Sequence, residues 1–266
     1  MKKILIGKKN SSWIDITLYQ AIYTGMHPKP KAVIFDMDGV IISTCSLHET
    51  AWRNAGALLG YTWPQEIGFK KNVFGSVSEH SAKILFGDHL TADATERLIT
   101  VKDREYEELL GERIKDIEVP GIRTFLACLR ANNLRLAVAT SARKEEAEFV
   151  LNSLSLIDNF EVIVDISHIK KAKPDPEIYL RVLSKLNLPA SQCIAFEDSV
   201  FGVKAVIEAG IHCILVKTTM DDSKLALHNL ACYHSINNFQ AEELAPVWHL
   251  FDQKIADFNN SWDINR

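Results

Sequence analysis

Two carboxylates stand two residues apart in Phe35-Asp36-Met37-Asp38-Gly39-Val40, at the end of a short apolar run. They can converge on one point if the chain leaves extended geometry between them, and Gly39 offers the backbone freedom for that turn. Like charges buried together are costly unless a cation or a proton compensates them. The chemistry open to such a pair is therefore that of a cation-binding or proton-exchanging acidic site. Taken alone, the pair leaves two other readings open: an acidic turn, or a metal-binding D-x-D of the glycosyltransferase type.

Three later segments carry complementary groups. Thr140-Ser141 closes another apolar run and offers a hydroxyl and backbone N–H groups where a helix begins, the makings of an anion site. Lys173-Pro174-Asp175-Pro176 sets a lysine beside two rigidifying prolines, a solvated loop lysine being the plain alternative. Glu197-Asp198-Ser199 ends a further apolar run with two carboxylates, and Gly202 allows a close approach just after. Hard oxygen ligands without His or Cys favour Mg²⁺ over zinc.

The elements that must position these groups follow from the apolar runs: Ala32 to Asp36, Leu134 to Thr140, Val162 to Asp165, Cys193 to Asp198, and Cys213 to Val216. Nearly continuous hydrophobicity over four to six residues suits strands buried on both faces of a parallel sheet. Helical patterns separate them at Ile122 to Asn132, Lys144 to Leu154, Pro176 to Leu186 and Phe201 to Ala209. The alternation predicts an α/β, doubly wound parallel sheet, a Rossmann-like core, with right-handed crossovers. Asp36, Thr140, Glu197 and Asp198 then fall at the carboxyl ends of strands, where such sheets bind ligands.

From Thr44 to about Lys115 there are helical patterns and no convincing strand, and Pro120-Gly121 marks the return to alternation. An irregular loop of that length is uncommon in a compact domain, so the interval reads as an inserted α-helical cap. The expected organisation is an N-terminal extension at 1–30, a catalytic core at 31–43 and 116–240, a cap at 44–115 and a C-terminal extension at 241–266. A weak helical pattern runs from Trp13 to Tyr23, and an amphipathic stretch from Ala241 to Phe258.

The 266 residues are 47% hydrophobic and 24% charged, an ordinary globular composition, with a formal net charge of −4. No basic footprint points to nucleic acid, and no apolar run approaches the roughly 20 residues that span a bilayer. Met1 to Gly7 is too short an apolar stretch for a signal-peptide core. Cys45, Cys128, Cys193, Cys213 and Cys232 are odd in number and scattered, which fits reduced thiols and a cytoplasmic address. The expected setting is a monomer or weak homo-oligomer without nucleic-acid or membrane partners.

In order, D-x-D, Thr, Lys and Glu-Asp, each at a strand's carboxyl end, resemble the haloacid dehalogenase superfamily of phosphotransferases. Within it the chain resembles the β-phosphoglucomutase-like branch, through His48-x-x-Ala51-Trp52, Pro120-Gly121, Gly202-x-x-Ala205 and Ala209-Gly210. The likeness covers about Lys31 to Val216. It implies Asp36 as a nucleophile forming an aspartyl-phosphate and Asp38 as general acid/base. It further implies Mg²⁺ held by the Asp36 carboxylate, the Asp38 backbone carbonyl and Asp198, with Glu197 close by. Thr140, the Ser141 amide and Lys173 would hold phosphoryl oxygens. In the cap, His48, Trp52 and Lys102 of Lys102-x-x-x-Tyr106 would face a small phosphorylated metabolite. Solvated or packing roles stay open for these three.

One departure bears on the reaction. The mutase pattern in the cap reads V-S-R-x-x-S, its arginine gripping a second phosphate. Here Val77-Ser78-Glu79-His80-Ser81 is one residue shorter and puts Glu79 in the arginine's place. Lys70 and Lys71 are the nearby candidates to substitute as point charges. Ser43 also stands where close relatives often have Asp before the Thr44 hinge. The expectation is a Mg²⁺-dependent phosphatase acting on a small phosphomonoester, such as a sugar phosphate. The alternatives are a β-phosphoglucomutase-type hexose-phosphate mutase and a non-catalytic phosphate sensor.

Overall fold

The computed structural model describes residues 29–244 apart from 66 and 115, together with 6–9, 12–14, 247 and 250. Six strands form one parallel sheet in the order β5-β4-β3-β6-β7-β8. They are β3 (Ala32–Phe35), β4 (Arg135–Ala139), β5 (Val162–Val164), β6 (Cys193–Glu197), β7 (His212–Val216) and β8 (His234–Ile236). A separate antiparallel pair joins β1 (Ile6–Lys9) to β2 (Ser12–Ile14). Trp13 thus lies in a strand where a helical pattern was expected, and the rest of that interval, 15–23, lies outside the described residues.

The four central strands are buried on both faces, and alternate residues enter two separate cores. Val33, Phe35, Leu136, Val138, Ile194 and Phe196 pack with α5 (Ile122–Ala131) and α6 (Lys144–Ser153) on one face. Ala32, Ile34, Ala137, Ala139, Cys193 and Ala195 pack with α7 (Glu177–Leu186) and α8 (Val200–Glu208) on the other. This period-two division is why the strand sequences are apolar throughout rather than alternating. Aromatic rings fill the first core: Phe35 stacks on Phe196 with centroids 5.3 Å apart, and Phe125 on Phe239 at 5.3 Å. After α9 (Asp222–Leu227) comes α10 (Ala241–Leu244), whose Leu244, with Val247 just beyond, is fully buried in that same core, so it runs past residue 240. The remainder of the Ala241 to Phe258 stretch lies largely outside the described residues.

Between β3 and α5 come α1 (Cys45–Leu58), α2 (Phe69–Asn72), α3 (Ser78–Phe86) and α4 (Ala92–Arg113), without a strand among the described residues. They enclose a third apolar cluster that includes Trp52, Phe69, Phe74, Leu85, Phe86, Leu98 and Ile99. These helices form the cap. No described helix is long and apolar enough to cross a membrane.

Candidate active site

After Phe35 the chain leaves the sheet and doubles back. Ile42 N–H donates to the Met37 carbonyl at 3.1 Å and Gly39 N–H to the Ile42 carbonyl at 2.6 Å. Gly39 holds φ +85°, and a Cβ there would meet Asp198 Oδ2 at 1.8 Å. Glycine is required twice, for the left-handed backbone and for the carboxylate packed against it. Because Phe35 pairs with Phe196 in register, Asp36 and Glu197 lie at the same level of neighbouring strands. Asp36, Glu197 and Asp198 each bring an oxygen within 4.8 Å of the others, and all three are buried.

Lys173 enters this acidic cluster from the segment after β5. Its Nζ donates to Asp36 Oδ1 at 2.7 Å, to Glu197 Oε1 at 2.7 Å and to the Ala139 carbonyl at 3.0 Å. All three ammonium protons are thereby used. Burial opposes the charge, yet Asp36 and Glu197 hold the Lys173 pKa above the ordinary lysine value. Glu197, expected near a metal, is engaged by protein donors on both oxygens. Oε1 also accepts from Tyr179 Oη at 2.6 Å, and Oε2 from the Asp198 N–H at 3.1 Å. A Cβ on Gly202 would fall 2.0 Å from that carboxylate.

Asp198 is the least satisfied member. Thr219 Oγ1 donates to its Oδ2, while its Oδ1 is buried with no hydrogen-bond partner among the described residues. Burial, then Asp36 and Glu197, push its pKa well above the ordinary carboxylate value. Asp36 is pushed up to about 8, because burial outweighs the opposing pull of Lys173. An orphaned buried carboxylate oxygen facing two more carboxylates, with one lysine among them, fits a hard divalent cation.

Asp38 faces the other way. Its Oδ1 accepts from Thr44 Oγ1 and lies 3.2 Å from His48 Nε2. Burial alone would raise its pKa, but the hydrogen bonds and charge of His48, with Thr44, hold it below the usual value. The side chain that the family likeness implied as general acid/base is thus held by two neighbours from the start of the cap. Thr140 is buried, and its Oγ1 accepts the Ala142 N–H at 3.0 Å at the turn into α6. Ser141 lies beside it on the cleft wall.

The cap supplies the opposite wall. The His48 ring stacks on Tyr106 with centroids 4.1 Å apart, which joins α1 to α4. Lys102 is almost fully buried, with Nζ 5.2 Å from the Tyr106 ring centre and 5.9 Å from that of Trp52. It pairs with Asp103 Oδ1 at 2.9 Å and with Glu146 Oε2, from α6 of the core, at 3.5 Å. The cleft between the walls has a volume of about 60 Å³.

Asp36, Asp38, His48, Trp52, Lys102, Thr140, Ser141 and Lys173 all line this one cleft. Glu197 and Asp198 stand directly behind it. Glu79 does not line it; its carboxylate lies 3.6 Å from Arg143, which also pairs with Glu96 at 3.2 Å across the core–cap boundary. Sequence reasoning missed Glu146, Tyr179 and Thr219. Glu146 reads as an ordinary first-turn helix acid and Tyr179 as one apolar position of α7, and no local signal separates them from such residues.

A parallel sheet with a buried carboxylate–lysine cluster at its carboxyl edge, covered by a helical cap, defines the capped phosphoryl-transfer folds. Residues 30–210 match the family described as haloacid dehalogenase-like hydrolase, and the chain belongs to that family, in its β-phosphoglucomutase-like branch. A phosphorylated carbohydrates phosphatase of Thermotoga maritima is 35% identical over 202 residues, covering 74% of this chain and 90% of the relative. A β-phosphoglucomutase of Bacillus subtilis is 30% identical over 187 residues, covering 69% of this chain and 82% of the relative. The crystal structure of a β-phosphoglucomutase from Clostridium difficile shares the fold, with a TM-score of 0.70 and 24% identity over 89% of this chain and 100% of that one. Members of the family generally use a divalent metal.

Proposed function

We propose that this chain is a Mg²⁺-dependent phosphatase that hydrolyses a small phosphomonoester, such as a sugar phosphate, through an aspartyl-phosphate on Asp36. The observation that carries the reading is the cluster of Asp36, Lys173 and Asp198 in the wall of the same cleft as Asp38. Asp36 attacks phosphorus; the bond from phosphorus to the leaving oxygen breaks, and the Asp38–His48 pair delivers the proton that oxygen needs. Water then attacks the phosphoryl group while Asp38 accepts its proton, which frees phosphate and restores the Asp36 carboxylate. Thr140, the Ser141 amide and Lys173, which gives up one of its present acceptors when phosphate enters, hold the phosphoryl oxygens on which charge must be stabilised.

Asp36, Asp198 and the Asp38 backbone carbonyl would hold Mg²⁺, with Glu197 placing Lys173 beside them. The bound ion supplies positive charge that lets an anionic nucleophile approach an anionic phosphate. The core at 31–43 and 116–240 would carry this chemistry, and the cap at 44–115 would select the substrate in a cytoplasmic setting. A hexose-phosphate mutase is the second reading, supported by His48 and Lys102 in the cleft and weakened by Glu79 in the place of the phosphate-gripping arginine. Purified protein with Mg²⁺ and a panel of phosphorylated metabolites tests both. Release of inorganic phosphate supports the phosphatase; isomer formation through a bisphosphate overturns it in favour of the mutase.

A further inference from the structure

Glu146 is the one acid in the cleft lining that neither the D-x-D pair nor the Glu-Asp pair accounts for. It stands in the first turn of α6, buried, with Oε2 3.5 Å from Lys102 Nζ and Oε1 3.8 Å from His48 Nε2. It therefore reaches from the core to the cap beside the Asp38–His48 pair. Glu146 thus pairs with two cap residues in the wall of the cleft that holds Asp36 and Asp38.

We propose that Glu146 sets the substrate class by closing this end of the cleft to a second phosphate. The enzyme then takes esters that carry one phosphate on a neutral, hydroxyl-bearing body. This rests on the phosphatase reading above. Among the described residues lining the cleft there are two lysines: Lys173, given by the proposed mechanism to the transferred phosphoryl group, and Lys102, paired with Asp103 and Glu146; His48 faces Asp38 and Glu146. Arg143, which does not line the cleft, pairs with Glu79 and Glu96. Lys70 lines a separate depression with Lys217 and Thr219, and the side chain of Lys71 lies outside the described part.

A second phosphate would find no uncommitted cation there and would face the Glu146 carboxylate in a site of low dielectric, where repulsion is strong. A sugar body instead meets the hydroxyls of Ser76, Ser78 and Ser81 and the rings of Trp52 and Phe74. These offer hydrogen bonds and flat apolar surface, which match sugar hydroxyls and C–H faces.

The test is calorimetric binding of glucose 1-phosphate and glucose 1,6-bisphosphate, with Mg²⁺, to the Asp36→Asn protein, which by the proposed mechanism cannot turn them over. The monophosphate should bind at least tenfold more tightly. Adding Glu146→Gln should shrink that ratio at least threefold by strengthening the bisphosphate, and Glu146→Asp, which keeps the charge, should preserve it. Equal affinities, a ratio unmoved by Glu146→Gln, or binding of neither ester overturns the inference. Failure of the phosphatase reading would show separately, as no phosphate released from the monoester by the wild-type protein.

Discussion

Asp36 and Asp38 are separated by one residue and sit in opposite electrostatic surroundings. Asp36 lies among acids in a buried pocket where one lysine offsets them incompletely, while Asp38 receives two hydrogen bonds and has a depressed pKa. The division of labour proposed here follows: the first is an in-line nucleophile, the second a proton carrier coupled to His48. Asp36→Asn should abolish turnover and any trapped phosphoenzyme, since an amide cannot form the acyl phosphate. Asp38→Asn should keep metal and phosphate binding but lose roughly a hundredfold or more in rate. Rapid-quench labelling from a radioactive phosphate ester reads both outcomes, and label retained by the Asp36→Asn protein would count against the assignment.

The turn after β3 and the helices of the cap show how elements place these residues. Two glycines with the same backbone sign make the point testable. Gly39, at φ +85°, has Asp198 Oδ2 1.8 Å from an added Cβ; Gly60, at φ +80°, has nothing within 4 Å. Gly60→Ala should cost only the backbone strain, about 1 kcal/mol. Gly39→Ala should cost that strain and also displace Asp198, so Mg²⁺ affinity falls along with stability. Urea unfolding and Mg²⁺ titration of the two variants separate the effects; equal metal affinity in both would sink the role given to the Gly39–Asp198 contact.

For the whole molecule, the carboxylate cluster links folding to metal and to pH. In the metal-free protein Asp36 keeps a proton up to about pH 8, whereas the unfolded chain releases it near 3.8. The unfolded state binds fewer protons in that window, so this group makes stability fall as pH rises from about 4 to about 8. Mg²⁺ must displace the proton, so its affinity should rise with pH, about tenfold per unit for one proton released. A ligand at a hundred times its Kd stabilises by about 2.7 kcal/mol. The increase in Tm at a fixed Mg²⁺ concentration should therefore be larger at pH 8 than at pH 6 and vanish with EDTA. An increment that is equal at both pH values, or that survives the chelator, contradicts this account.

The parallel sheet and its central strands were legible because a strand buried on both faces must be apolar at nearly every position, as Ala32 to Phe35 and Cys193 to Phe196 are. β8 escaped notice because His234-Ser235-Ile236 is a short sheet edge with one fully buried residue. The acidic motifs were visible as residue types, and their convergence was foreseeable from strand ends that share a level in a parallel sheet. Which oxygen meets which donor was not. Glu197 serves Lys173 and Tyr179, Thr219 serves Asp198, and Glu146 reaches the cap through crossovers that bring distant segments within 4 Å. Local sequence determines a strand's burial and a turn's glycine, since both depend on near neighbours. The partner of a buried charge depends on packing between elements far apart in the chain, and only the tertiary structure decides it.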